Sequence, residues 1–182
     1  MNKLRLSVLT ANYMYMAGVG ILSPIYALFV RDIGGSAFIA SASWSLYLIL
    51  AGIVMIATTN HSRPEQYKRN LLLGYSIAAL STFLYIVVWD VASLLMLQVI
   101  HAIGVGILTP TLRAVYARVV STQRETRQWA VFDGGLFILQ GIAALIGGTL
   151  LTLYGFVALF VFMGTTQLVS VVIIARSKLE LH

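Results

Sequence analysis

The chain has 182 residues, 59% of them hydrophobic and only 10% charged, with a formal net charge of +6 and a mean hydropathy of +0.90. A water-soluble domain of this length rarely carries so few charges, so the composition reads as an integral membrane protein. The lack of cysteine excludes a disulfide framework, a thiolate nucleophile and a Cys-containing zinc site, and basic residues lying between apolar runs without interleaved aromatics exclude nucleic acid as a partner.

A bilayer core about 30 Å thick needs about 20 apolar helical residues. Six runs supply them: Leu6 to Val30, Ala37 to Thr59, Leu71 to Trp89, Ala92 to Val115, Trp129 to Tyr154 and Phe156 to Ala175. Lys3 and Arg5 ahead of the first run imitate a secretory signal, but an apolar signal core spans only ~7–15 residues, so this run reads as a retained span. The connections at Asp90 and at Tyr154-Gly155 are short and make antiparallel hairpins of spans three and four and of spans five and six. The expected fold is therefore all-α, a single six-helix transmembrane domain over residues 1–182 with the bilayer as its surroundings.

Lys and Arg in short loops are retained on the cytoplasmic side. With the N-terminus inside, that side receives Lys3, Arg5, Arg63, Lys68, Arg69, Arg113, Arg118, Arg124, Arg127, Arg176 and Lys178, and the other side only Arg31. Both termini are thus expected in the cytoplasm, and the net positive charge follows from topology. Trp89 and Trp129 fall at span ends, as interfacial aromatics do.

The stretch from Gly18 to Pro24 reads Gly-Val-Gly-Ile-Leu-Ser-Pro, and that from Gly104 to Pro110 reads Gly-Val-Gly-Ile-Leu-Thr-Pro. They lie 86 residues apart and differ at one position in seven. The first span runs outward and the fourth inward, so the halves, about 1–90 and 91–182, read as inverted three-plus-three repeats of the kind from which many secondary transporters are built. Each proline releases the carbonyl four residues earlier, at Gly20 or Gly106, so Gly20 with Pro24 and Gly106 with Pro110 are expected to mark helix bends, the first near the outer gate and the second near the inner.

The same offset pairs Asn12 with Gln98, Tyr15 with His101, Val19 with Val105 and Ser23 with Thr109 on one helical face, which Tyr26 extends. Polar side chains at membrane depth face protein or water. Asn12, Tyr15, Val19, Ser23, Tyr26, Gln98, His101 and Thr109 therefore read as the lining of a substrate cavity, the competing role being interhelical hydrogen bonding. His101 is the one side chain near mid-membrane that titrates around neutral pH, against which stands a neutral imidazole bonded to a neighbour. His61 and His182 lie in a loop and at a terminus, and without clustered carboxylates no metal site is expected.

Asp133 lies about one turn inside the inner interface and Arg113 at the inner end of the fourth span, where a pair would keep both charged. Such a pair is a structural clamp or a gate that breaks as the inner side opens. The fifth span presents Gln140, Gly141, Ala144 and Gly148, and its repeat equivalent, the second span, presents Ser41, Ser45 and Gly52. These small faces suit either a partner surface or packing inside the unit. Spans three and six carry scattered polar groups, Ser81, Thr82, Thr165 and Gln167, and read as peripheral.

The fourth span from Gln98 through His101, Gly104 and Gly106 to Pro110, together with Gly147-Gly148 and Tyr154-Gly155-Phe156, resembles the six-helix N-terminal half of a Major Facilitator Superfamily transporter. In that family the fourth-span pattern begins with Arg, the fifth span ends on Gly-Gly, and a Phe-Gly-Trp turn follows. Three departures stand out. Gln98 replaces the Arg, only Lys68-Arg69 remains of the loop signature after span two, and Ala143-Ala144 stands where the antiporter motif has Gly-Pro, so antiport is not carried over. The resemblance extends to half-length bacterial members of the superfamily. It implies a multi-pass protein of the bacterial inner or plasma membrane type and a parallel homodimer rebuilding the twelve-helix unit.

The functional expectation is a secondary transporter that moves a small solute by alternating access, without a cofactor. A lining that is polar and aromatic without a certain charge favours a neutral or amphipathic solute. Two alternatives are a non-transporting subunit or scaffold that pairs with another six-helix chain, and an excised half whose charged tail from Arg176 begins an interdomain loop. No nucleophile, base and oxyanion-donor set appears at a workable spacing, so the chain does not read as an enzyme.

Overall fold

The structure is a computed structural model describing residues 3–59, 63–120 and 122–177, and the side chain of Thr122 is not among those described. His61, Lys178 and His182 lie outside the described residues. α1 (Lys3–Leu22) passes through a 3-10 turn at Ser23–Ile25 into α2 (Tyr26–Asp32), followed by α3 (Ala37–Thr59), α4 (Tyr67–Leu84), α5 (Val91–Val119) and α6 (Glu125–Arg176). Five helical stretches are long and apolar enough to cross a membrane: Lys3–Asp32, Ala37–Thr59, Pro64–Val87, Val91–Val119 and Glu125–Arg176. The protein is an all-helical, multi-pass membrane protein.

Local chemistry sets the helix ends. Gly34, at φ 83°, takes the left-handed conformation that closes α2, and the amides of Gly34 and Gly35 donate to the carbonyls of Arg31 (3.0 Å) and Val30 (2.8 Å). Asp90 caps α5 by accepting from the Ser93 amide at 2.8 Å, while the Ser93 hydroxyl closes the reciprocal half of a capping box. A straight helix of 52 residues would extend about 78 Å, more than twice the bilayer core. At Gly155, with φ 75° and ψ −176°, α6 breaks and the chain reverses.

Contacts with α1 establish the reversal. Arg5 bonds Gln128, Tyr13 bonds the Val131 carbonyl, and Gly20 lies against Gln140, so residues 125–154 run parallel to α1. Gly18 lies against Gln167 and Phe29 stacks edge-on against Phe160, so residues 156–176 run antiparallel to it. α5 runs parallel to α3, with Gly106 against Ala51 and Val54, and antiparallel to α4, with Gly104 against Ala78. Glycines at these crossings let the backbones approach. A Cβ at Gly106 would come within 2.6 Å of Val54, and one at Gly147 within 2.5 Å of the Ile21 carbonyl oxygen.

Two apolar clusters occupy the two ends of the bundle. One gathers Val8, Tyr15, Tyr75, Leu108, Tyr116 and Phe132, and the other Ile21, Phe29, Tyr85, Leu97 and Phe160. Between them along each helix lie the buried polar side chains of Ser81, Thr82, Gln98 and Gln167. Lipid tails are as apolar as these cores, so close packing and interhelical hydrogen bonds hold the helices together rather than exclusion from water. The outer surface carries large apolar groups such as Phe38, Phe137 and Leu145, each at least three-quarters exposed.

Candidate functional site

Two adjoining cavities lie along the facing surfaces of α1 and α5. The first, about 50 Å³, is lined by Val19, Ser23, Tyr26, Gln98 and His101, together with Trp44 and Tyr47 of α3, Thr82 and Tyr85 of the third helical stretch, and Met163 and Gln167 of α6. The second, about 220 Å³, is lined by Asn12, Tyr15, Val19, Val105, Thr109 and Arg113, with Tyr47 and Phe132 among the other walls. Val19 and Tyr47 border both. The structure thus brings all eight residues of the expected stripe onto one or other cavity.

The first cavity is ringed by aromatics and amides. Tyr26 and Trp44 (5.6 Å between ring centroids), Trp44 and Tyr47 (5.3 Å), and Tyr47 and His101 (5.3 Å) form a chain of rings. Gln98 donates its amide to the Tyr26 hydroxyl, which shares a 2.7 Å hydrogen bond with Ser43. Thr82 donates to the Gln167 side-chain oxygen at 2.7 Å. His101 is held through Nδ1 by the Ser81 hydroxyl at 2.7 Å. That hydroxyl also lies 2.8 Å from the Ala78 carbonyl, so its single proton goes to one of two acceptors, and Nδ1 donates when the carbonyl takes it and accepts when it does not. Among the described residues no carboxylate lines this cavity, and its volume holds a few waters.

The second cavity differs in having unpaired polar groups. Asn12 is 3% exposed, yet its side-chain amide makes no hydrogen bond among the described residues, and neither does the hydroxyl of buried Tyr15. These polar atoms border the cavity, whereas the fully enclosed side-chain polar atom without a partner among the described residues is the Tyr75 hydroxyl.

Other expectations are corrected by geometry. No ion pair forms between Arg113 and Asp133: Arg113 is exposed beside the second cavity, and among the described residues neither makes a salt bridge. The reason is rotational. Phe132 takes the position facing α5, packing on Tyr116 at 4.2 Å between centroids, and Asp133 follows about 100° further round the helix. The two prolines also differ. Pro24 sits in the 3-10 turn that interrupts the first stretch, whereas α5 continues through Pro110.

The third and sixth predicted spans are not peripheral, because Ser81, Thr82 and Gln167 are buried in the interior and only Thr165 is exposed. Gln140 is used within the chain, its backbone lying against Gly20. Gly52, Gly141 and Gly148 have nothing within 4 Å of a notional Cβ, and Ser41 and Ser45 are exposed, while Ala144 is half-buried. Trp44, Tyr47 and Gln167 also line the first cavity, outside the expected stripe. Their signals were two aromatics at one-turn spacing and a lone amide in an apolar run.

The chain is 24% identical over 165 residues, 91% of its length, to an uncharacterized MFS-type transporter of Methanocaldococcus jannaschii. Its similarity is to MFS-type transporters. It is also 28% identical over 146 residues, 80% of its length, to a multidrug resistance protein B homolog of Mycobacterium tuberculosis. These matches cover 42% and 27% of the two relatives, so the chain spans less than half the length of either. No family model matches the chain.

Proposed function

We propose that the protein is a secondary transporter that carries a small neutral or amphipathic solute by alternating access, with α1 and α5 forming the path. The observation that carries this reading is the unpaired amide of Asn12 and hydroxyl of Tyr15 on a 220 Å³ cavity between helices whose sequences repeat. A site built for a solute leaves such groups waiting for a partner. The aromatic ring chain and the amides of Gln98 and Gln167 supply stacking surface and hydrogen bonds to an uncharged ligand.

Six spans in a three-plus-three inverted arrangement are part of this proposal, with both termini cytoplasmic in a plasma-membrane-type bilayer. The reversal at Gly155 supports the sixth span, and the basic residues support the orientation. The repeat has tertiary support. Gly20 meets Gln140 and Gly106 meets Val54, and adding the offset of 86 to Gly20 and Val54 gives Gly106 and Gln140.

The assembly proposed is a parallel homodimer rebuilding the twelve-helix unit. The open faces at Gly52, Gly141 and Gly148 support it. The inner charges Arg113 and Asp133 enter as a gate that is unpaired in this conformation.

Solute binding to the purified chain in nanodiscs, followed by uptake in proteoliposomes, tests the function. Gln98→Ala with His101→Ala is expected to abolish binding and leave the assembly intact; unaltered binding removes the stripe from the mechanism. Native mass spectrometry of the lone chain is expected to give a dimer. A stable monomer, or a partner chain of different sequence, points instead to a subunit or scaffold.

A further inference from the structure

A third cavity, of about 340 Å³, lies apart from the two on the transport path, at the end of the bundle where α1 and α6 begin. It is lined by Arg5, Arg124 and Arg127, with Leu9, Tyr116 and Gln128 completing the wall. Three arginines line it, Arg5 half-buried and Arg124 and Arg127 exposed; no carboxylate lines the space, and among the described residues none of the three makes an ion pair. Like charges gathered in one cavity repel one another, so their convergence needs a cause in the fold.

Gln128 supplies it. Its side-chain oxygen accepts from Arg5, its amide nitrogen donates to the Arg124 carbonyl at 3.3 Å, and its backbone carbonyl accepts from the Tyr116 hydroxyl at 2.8 Å. One buried residue thereby ties α1, α5 and the start of α6 around the three arginines. The first turn of α6 opens beside them, its N-cap Arg124 providing no side-chain hydrogen bond, so its backbone amides offer a partial positive charge, which Glu125 in the same turn offsets in part without lining the cavity. Leu9 and half-exposed Val131 give the cavity an apolar flank next to its cationic one.

We propose that this cavity binds a phosphate group, with Arg5, Arg124 and Arg127 as its ligands, and that the bound anion fastens the ends of α1, α5 and α6 together. Guanidinium forks match phosphate oxygens in geometry and stay charged at every physiological pH. The phosphate comes either from an anionic lipid headgroup, whose chains would follow the apolar flank, or from a soluble phosphate. The inference stands independently of the transport reading, since it uses none of that path's residues.

The test uses the full chain in nanodiscs of neutral phosphatidylcholine. One arm adds phosphatidic acid to the bilayer and counts retained lipid by native mass spectrometry, and the other titrates inorganic phosphate by calorimetry. Saturable binding of one anion per chain in either arm is expected, and the arm that saturates identifies the source. Replacing Arg5, Arg124 and Arg127 together with Gln is expected to weaken binding at least tenfold, the scale of one lost charge-assisted hydrogen bond. Arg63, Arg69 and Arg176 changed to Gln remove the same charge from the same end and are expected to alter binding less than about twofold, within the scatter of surface substitutions. Should the triple variant fail to fold, Arg127→Gln alone, at an exposed position, is expected to weaken binding several-fold. Equal weakening in the control variant, or no saturable binding in either arm, overturns the proposal.

Discussion

The hydroxyl of Thr58 on α3 lies 3.5 Å from the carbonyl oxygen of Gly106 on α5, the acceptor that Pro110 leaves without an amide donor. The Val54 carbonyl lies closer to that hydroxyl, at 2.8 Å, so Gly106 takes a weaker share of its one proton. Shifting Thr58 by the repeat offset of 86 lands on Ala144, which has no hydroxyl to offer the Gly20 carbonyl released by Pro24. That difference accompanies the different outcomes at the two prolines, a 3-10 turn after α1 and an uninterrupted α5.

Thr58→Val keeps the shape and removes the donor. Hydrogen bonds between membrane helices average about 0.6 kcal/mol, so global stability should fall by about that much. Local opening should respond more. Hydrogen exchange over residues 111–114 is expected to accelerate, and exchange unchanged from wild type would detach Thr58 from the geometry at Pro110.

The glycines separate into two classes. A Cβ at Gly20 would lie 2.8 Å from the Gln140 Cα and one at Gly147 2.5 Å from the Ile21 carbonyl oxygen, both against backbone that cannot swing aside. Gly20→Ala and Gly147→Ala should each cost ~1–3 kcal/mol through overpacking, measured by unfolding in mixed micelles. Gly141→Ala meets nothing within the chain and should leave monomer stability within about 0.5 kcal/mol. A change in self-association by Gly141→Ala alone would place the partner at that face.

Asn12 tests whether an unpaired polar group is retained for function. Its amide has no partner to lose among the described residues, so Asn12→Leu should preserve or raise thermal stability. Solute affinity should nevertheless drop at least about tenfold, as expected when a site loses one well-placed hydrogen bond to its ligand. Loss of stability without loss of binding would make Asn12 a structural residue.

Asp90 lies between two spans, where the Ser93 hydroxyl and amide hold its carboxyl below the ordinary carboxylate range. A folded-state pKa lower than the unfolded one stabilises the capped helix above the unfolded value, and the contribution disappears as pH falls through the folded value. Hydrogen exchange at residues 91–94 should therefore rise in acid, from the usual carboxylate range downward. Asp90→Ala should show the faster exchange already at neutral pH and no further acid response, whereas Asp90→Asn, which still accepts from the Ser93 amide, should show the intermediate rate.

The sequence by itself determined the helical class, the positions of the apolar stretches, the breaks at Asp90 and Gly155, and the choice of α1 and α5 residues that border the cavities. Each follows from information local to the chain: run length against bilayer thickness, caps and glycines at fixed positions, and periodicity along one helix. Tertiary structure decided which helices face one another and in what rotation. It set Phe132 rather than Asp133 toward α5, carried Gln167 and Thr82 from spans that read as peripheral into the buried polar layer, and brought Trp44 and Tyr47 onto the cavity. In a chain so uniformly apolar, hydropathy marks no inner and outer face of a helix. Rotation is fixed instead by where glycines let backbones close and where a few hydroxyls and amides find partners, and those choices exist only once the helices meet.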